Sequence, residues 1–151
     1  MMGDLLQPWH IIVLMMVFGL FFLLPYIFYI LTLQRALEKC APTSRNISPG
    51  MVWLLLIPLF NLVWHFLVVL GMAKSLENEF RRRNAPSVEP LPGQSIGIAM
   101  CVCACCCIIP ILGFFAALAH FILWIIYWVK IAEFSRTLSM LPEPMSSTPT
   151  H

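Results

Sequence analysis

Charged side chains are scarce in this sequence. Only 11% of its 151 residues are Asp, Glu, Lys or Arg, whereas 60% are hydrophobic. A soluble domain carries about 25% charged residues, and so few charges cannot cover a surface that faces water. We therefore expect lipid to be the main solvent of the chain. The net charge of +2 is also too small to favour a nucleic-acid partner, whose phosphates are bound by clusters of basic side chains.

Signatures of catalysis are missing as well. The sequence contains no phosphate-binding loop, no nucleophile elbow, no zinc-protease motif and no dinucleotide fingerprint. No carboxylate lies in any of the long apolar runs, so nothing there suits proton pumping. These absences predict a protein that is not an enzyme, has no catalytic residues and needs no cofactor.

Three long runs without a formal charge predict membrane-spanning helices. They cover residues 11–33, 51–73 and 96–129, which are 23, 23 and 34 residues. A bilayer core is crossed by about 20 apolar helical residues, so the first two runs each predict one span. The third run is too long for one ordinary span. Split at "IPILG", it gives two, and the predicted spans are then about 9–33, 49–73, 94–109 and 113–131.

The sequence thus predicts an all-α integral membrane bundle of four transmembrane helices. Proline removes a backbone donor and clashes with the preceding turn, so Pro25 and Pro58 should kink the first two helices. The last two should form a hairpin at "IPILG". A cytoplasmic amphipathic extension, "AKSLENEFRRRN", should follow helix 2. We expect residues 1–138 to form the transmembrane domain and residues 139–151 a disordered polar tail.

Basic residues predict the orientation of this layout. With four spans, six of the nine Lys and Arg residues share a side with both termini, and three lie on the other side. The excess of Lys and Arg on cytoplasmic loops then predicts cytoplasmic termini. A three-span layout would need one 34-residue uncharged helix. In a third layout "IPLFN" is a re-entrant turn, which would bring every basic loop to one side.

A weak internal repeat accompanies these layouts. "PGMVWLLLIPLFN" and "PGQSIGIAMCVCACCCIIPILG" both read as Pro-Gly, an apolar stretch, Ile-Pro, two apolar residues, and then Asn or Gly. The spacing differs between the two copies, and chance explains such a match fairly well. If the repeat is real, it predicts two helix hairpins that pack about a pseudo-axis, as in many transporters.

Three stretches carry a resemblance to a known group of proteins. "SPGMVWLLLIPLFNLVWHFLVVLGMAKSLENEFRRRN", "LWIIYWVKIAEFSRTL" and the upstream "LQRALEKCAP" resemble small bacterial integral membrane proteins that share a domain of unknown function. The resemblance covers roughly residues 31–138. It implies a bacterial inner-membrane protein with several helices, and it brings no catalytic residues with it.

A cysteine run, "CVCACCC", offers the first candidate site. Its metal candidates are Cys101, Cys103, Cys105, Cys106 and Cys107. Copper in its soft cuprous form would suit thiolates best. On a helix, however, the five thiols cannot converge on one point, and a tetrahedral site needs four ligands. Thiols also behave as small hydrophobic side chains, so packing between helices is the favoured interpretation.

Two histidines in predicted spans offer the second candidate site. His65 and His120 follow Pro58 and Pro110, and Asn61 lies one turn before His65. Ionisable groups inside a membrane are expected to be functional. Two facing imidazoles would ligate haem or a metal, and with Asn61 they would line a polar path. The competing interpretation is neutral hydrogen bonding between helices, which stabilises a bundle by about 1 kcal/mol per contact.

Function is predicted only broadly. We expect a non-catalytic accessory or scaffolding subunit, whose partners are the bilayer and either another membrane protein or further copies of the chain. Arg81, Arg82 and Arg83 are candidates for docking to a partner or to anionic lipid. A small transporter or channel using Asn61, His65 and His120 is the first alternative, and a haem- or metal-binding redox subunit is the second.

Overall fold

A computed structural model describes residues 7–85 and 89–144, and the elements in these ranges are all helical. They are α1 (Pro8–Glu38), a 3₁₀ helix (Pro49–Leu56), α2 (Pro58–Arg82), α3 (Gln94–Cys106) and α4 (Gly113–Met140). Three of them, α1, α2 and α4, are long and apolar enough to cross a membrane. The predicted all-helical architecture is therefore confirmed for the described residues, and three of the helices have the length and composition of the predicted membrane spans.

Four spans are not confirmed. α3 has 13 residues, which at the α-helical rise of 1.5 Å per residue makes it about 20 Å long. A bilayer core is about 30 Å thick. The chain turns across residues 107–112, which contain most of "IPILG", and α3 and α4 pack together as a hairpin.

The predicted kink at Pro58 is wrong, because the helix is interrupted there. The chain forms the 3₁₀ helix, passes through Ile57 in an extended conformation (φ −83°, ψ 110°), and starts α2 at Pro58. Proline disfavours helical backbone in the residue before it but is well suited to the first position of a helix. Pro25 differs, since α1 continues through it.

The ends of the predicted elements also shift. α2 runs without a break into the predicted amphipathic extension, as far as Arg82. α4 runs to Met140, so the start of the predicted disordered tail is helical. Residues 145–151 of that tail lie outside the described residues.

Hydrogen bonds fix the directions of the helices. Lys39, just after α1, donates to the carbonyl of Ser135 near the end of α4 (2.9 Å). The Glu79 carboxylate near the end of α2 accepts from the backbone N–H of Ala41 (2.9 Å). The carboxyl ends of α1, α2 and α4 therefore lie together, and these three helices point the same way. Gln7, at the start of α1, and Met140, at the end of α4, lie at opposite ends of the bundle.

Two hairpins pack against the second half of α1. In the first, the 3₁₀ helix runs away from the shared end and α2 returns to it: Asn46 pairs with Ser75, whereas Met51 accepts from Trp64. In the second, α3 runs away and α4 returns. The first hairpin begins with the pair Pro49-Gly50, the second begins directly after Pro92-Gly93, and each turns at an Ile-Pro pair, so the sequence repeat corresponds to two similarly directed structural units.

Candidate functional site

A cavity of about 460 Å³ lies between the four α-helices. Asn61, His65 and His120, the three polar residues predicted to act together, all line it. The remaining lining residues are mostly apolar or aromatic: Gly19, Phe22, Leu23, Pro25, Tyr26, Leu62, Cys101, Ala104, Phe121 and Trp124. The volume falls in the range of about 300–1,000 Å³ that is usual for small-molecule sites.

Local sequence explains how the polar groups meet. α2 starts at Pro58, so Asn61 and His65, four residues apart, lie on one helical face. α4 starts at Gly113 in the matching hairpin, which places His120 about two turns from the connection. α1 runs past both hairpins and closes the cavity with the segment around Pro25.

His65 is buried and already has one partner. Its Nε2 lies 2.9 Å from the hydroxyl of Tyr29, and the Tyr29 side chain is fully buried in the hydrophobic core. This pair links α1 to α2. Because Tyr29 occupies Nε2, that nitrogen is not open for a ligand in the cavity.

In His120 the ring nitrogen with a protein partner is Nδ1 and not Nε2. Its Nδ1 lies 2.9 Å from the backbone carbonyl of Met100 in α3. A carbonyl only accepts hydrogen bonds, so we assign the proton of a neutral imidazole to Nδ1. The other ring nitrogen, Nε2, then keeps its lone pair and is an acceptor.

Two further polar atoms on the cavity-lining residues lack a hydrogen-bond partner. Within the part of the chain that the structure describes, the Oδ1 atom of Asn61 and the indole Nε1–H of Trp124 are buried and unpaired. A buried polar atom without a partner costs about 1–3 kcal/mol. The site therefore has one acceptor, Asn61 Oδ1, without a donor and one donor, the Trp124 N–H, without an acceptor.

No formally charged side chain lines this cavity. On α1 the nearest basic residue is Arg35, nine residues and about 14 Å of helix beyond Tyr26. On α4, Lys130 lies six residues beyond Trp124, the last lining residue of that helix, or about 9 Å. A charged ligand would find no counter-ion at this depth, so the site favours a neutral one.

The cysteine run does not form a cluster. All five thiols are free; Cys101 is buried against the cavity, whereas Cys107 is exposed. No group of three or more His, Cys, Asp or Glu side chains in the described ranges is close enough to hold a metal ion. Cys40, outside the run, is also buried, and its burial raises the pKa of its thiol to about 12, with the Glu79 carboxylate adding to the effect.

The three arginines predicted to dock a partner have different surroundings. Arg81 is exposed, with 78% of its side chain accessible, and pairs with Glu77. Arg82 and Arg83 both bind the buried carboxylate of Glu79, and Arg83 is only 5% accessible. Of the three, only Arg81 presents most of its charge to the surroundings.

Sequence reasoning missed the groups that surround this cavity and the ion-pair network. Tyr26, Tyr29 and Trp124 were not singled out, although aromatic residues with polar tips at helical spacing in an apolar run are a usable signal. Arg83 was predicted to dock a partner or anionic lipid, and Glu79 was not singled out. Their i, i+4 spacing signals a pair, but nothing in the sequence shows that it is buried.

Comparison with known proteins adds no relative: no family model, no curated protein and no solved structure matches this chain.

Proposed function

We propose that this protein is a non-catalytic subunit of a larger membrane assembly, in which α1 crosses the bilayer and the two hairpins re-enter from the basic face. The observation that carries the proposal is the chemistry of the two hairpin turns. Each turn is irregular backbone, apolar and exposed, and the proposal puts it at a depth where a bilayer offers no water.

The depth follows from helix lengths. Pro58 lies 16 residues before Lys74, the first charge of α2, which is about 24 Å of helix. Gly113 lies 17 residues before Lys130, or about 26 Å. Although α2 and α4 as whole helices are long and apolar enough to cross a membrane, these uncharged stretches are shorter than the hydrocarbon core of about 30 Å. We therefore propose that both turns stop within it. Residue 11 of α1 lies 24 residues before Arg35, or about 36 Å, which is enough to cross.

The composition of the turns supports this position. Leu59 is 93% exposed and Ile111 is 89% exposed, and neither turn contains a charged or polar side chain between residues 54 and 60 or between 108 and 112. Turns that reach water are usually rich in polar residues. The four-span layout would put the second of these turns in water.

All nine Lys and Arg residues then belong to one face, which the positive-inside rule makes the cytoplasmic one. In this arrangement the carboxyl end of α4 is cytoplasmic and the start of α1 lies on the opposite side. A bacterial inner membrane is the location that the sequence resemblance implies.

Irregular backbone exposed to lipid is the reason for proposing a partner. Backbone polar groups in hydrocarbon need hydrogen bonds, and lipid-exposed turns do not occur there unless protein covers them. No side chain caps the start of α2 or of α4. The amino-terminal half of α1 also offers an apolar surface, since no residue of its most apolar 18-residue window is buried.

A photocrosslinking experiment tests the partner. A benzophenone amino acid placed at Leu59 or Ile111 is expected to crosslink to protein in native membranes. Val129, exposed on a regular stretch of α4, is the matched control and should crosslink to lipid. Lipid adducts alone at all three positions would refute the proposal.

Labelling from one side tests the topology. In a background without native cysteines, Arg45→Cys and Asn84→Cys should both react with an impermeant maleimide from the cytoplasmic side. A four-span protein would expose these two positions on opposite sides.

A small transporter is the second candidate, because Asn61, His65 and His120 do line one cavity. Transport should then fall when both histidines are replaced by alanine. Unchanged flux in that double variant would exclude this path. No comparable observation favours a haem or copper subunit.

A further inference from the structure

We propose that the cavity binds a neutral lipid whose aromatic head group carries hydroxyl groups, with the ring between α2 and α4. This inference goes beyond the subunit role, because it concerns a ligand rather than a protein partner.

Hydrogen-bonding capacity selects the hydroxyl group. The cavity-lining residues offer two acceptors without a donor, His120 Nε2 and Asn61 Oδ1, and one donor without an acceptor, the indole of Trp124. A hydroxyl group both donates and accepts. A ketone or an ester only accepts, so it would leave both acceptors unsatisfied in an apolar environment.

The walls select an aromatic ring. Phe22, Tyr26, Phe121 and Trp124 all line the cavity. Tyr26 and Trp124 are stacked with ring centroids 6.5 Å apart, and Phe121 lies 6.1 Å from Trp124. Aromatic rings gain more from such neighbours than their buried area alone supplies. An aliphatic alcohol would satisfy the polar atoms but would not use these faces.

A second cavity next to the first has room for an apolar tail. This cavity of about 790 Å³ shares Phe22, Pro25, Phe121 and Trp124 with the first and continues along α4 as far as Arg136. Its walls are apolar or aromatic as far as Ala132, and it ends at two charged side chains, Glu133 and Arg136. The two spaces together fit a head group joined to a long hydrocarbon chain, and the lack of charge around the inner space favours a neutral head.

Calorimetric titration of the full chain in lipid nanodiscs tests the inference with three probes. Decylhydroquinone is expected to bind. Its dimethyl ether should bind at least about tenfold more weakly, because it retains the ring and tail but has no hydrogen to donate. Decanol should also bind about tenfold more weakly, because it has a hydroxyl but no ring.

Substitutions assign the binding to this cavity. Asn61→Leu and His120→Phe should each weaken decylhydroquinone binding by about tenfold, and Phe114→Leu, exposed on α4 outside the cavity, should leave it unchanged. Equal binding of decylhydroquinone and its ether by the unaltered protein would overturn the inference, whatever the variants do to folding. Equal binding of decanol would overturn the aromatic class. Binding is measured without flux or partner, so it can fail independently of the subunit and transporter proposals.

Discussion

Arg83 is predicted to be the most sensitive basic residue for stability. Its Nε donates to Glu79 (2.7 Å), one terminal nitrogen donates to the carbonyls of Leu138 and Leu141 (2.9 and 3.0 Å), and the other donates to the carbonyl of Lys39 (3.2 Å). These carbonyls belong to the ends of α1 and α4, where the helix dipoles concentrate negative charge. One guanidinium thus holds three helix ends together.

The expected cost of Arg83→Met follows from these contacts. Breaking a buried ion pair by removing one partner costs about 3–5 kcal/mol. Arg82 still binds Glu79 at 2.6 Å, so we expect the lower end, about 3 kcal/mol. For a chain of this size, 1 kcal/mol lowers the melting temperature by about 2–4 °C. The melting temperature of Arg83→Met should therefore fall by about 6–12 °C.

Thermal unfolding in mild detergent, followed by tryptophan fluorescence, measures this change. The matched control is Arg81→Met, two residues earlier, which loses only an exposed i, i+4 pair worth about 0.3–0.5 kcal/mol. Its melting temperature should change by less than about 2 °C. If the two variants melt together, Arg83 does not clamp the helix ends and the reasoning is refuted.

Three smaller predictions concern the core and the basic end. Tyr29→Phe removes a buried hydrogen bond to His65 and should cost about 1 kcal/mol. Tyr127→Phe removes a hydroxyl that has no partner among the described residues and should cost nothing. Equal losses of melting temperature in the two variants would contradict the hydrogen bond between Tyr29 and His65. Gly97→Ala would bring a methyl group against the side chain of Val69 and to 2.9 Å from a ring carbon of Tyr127, and should destabilise by about 1–3 kcal/mol. Gly19→Ala meets nothing within 4 Å and should have no comparable cost. A normal melting temperature for Gly97→Ala would show that α3 packs less closely against α2 and α4. Lys130 and the backbone N–H of Gly93 hold the pKa of Glu89 below its ordinary value of 4.5. The contribution of Glu89 to stability is therefore complete above pH 4.5 and is lost as the pH falls through the lowered pKa. Glu89→Gln should flatten this dependence, and identical melting profiles of the variant and the unaltered protein between about pH 6 and 3 would contradict it.

The helices were predictable because their cause is local. An uncharged run of 23 residues in lipid can satisfy its backbone only as a helix, so α1 and most of α2 and α4 followed from composition. The interruption at Pro58 was underestimated. Pro25 and Pro58 both lie in apolar runs and look alike in the sequence. Only Pro58 comes a few residues after a Pro-Gly pair, and in the structure the short helix that begins with that pair ends just before Pro58.

The directions of the helices were not predictable in the same way. They depend on contacts between distant residues, such as Lys39 with Ser135. A count of basic residues gives six against three for four spans and nine against none for the re-entrant layout, so both have an excess on one side and the count does not give helix directions. The cavity was predictable in part. Asn61, His65 and His120 were grouped from the sequence because they are polar residues inside predicted spans, but the partners of the two imidazoles are visible only in the structure.

Native mass spectrometry of the protein, extracted gently from its own membrane, tests the subunit proposal most directly. We predict a defined assembly heavier than the 17.2 kDa chain, in which a partner protein or further copies of the chain cover the two apolar turns. A bare monomer that keeps its fold, its turns crosslinked only to lipid, would contradict it.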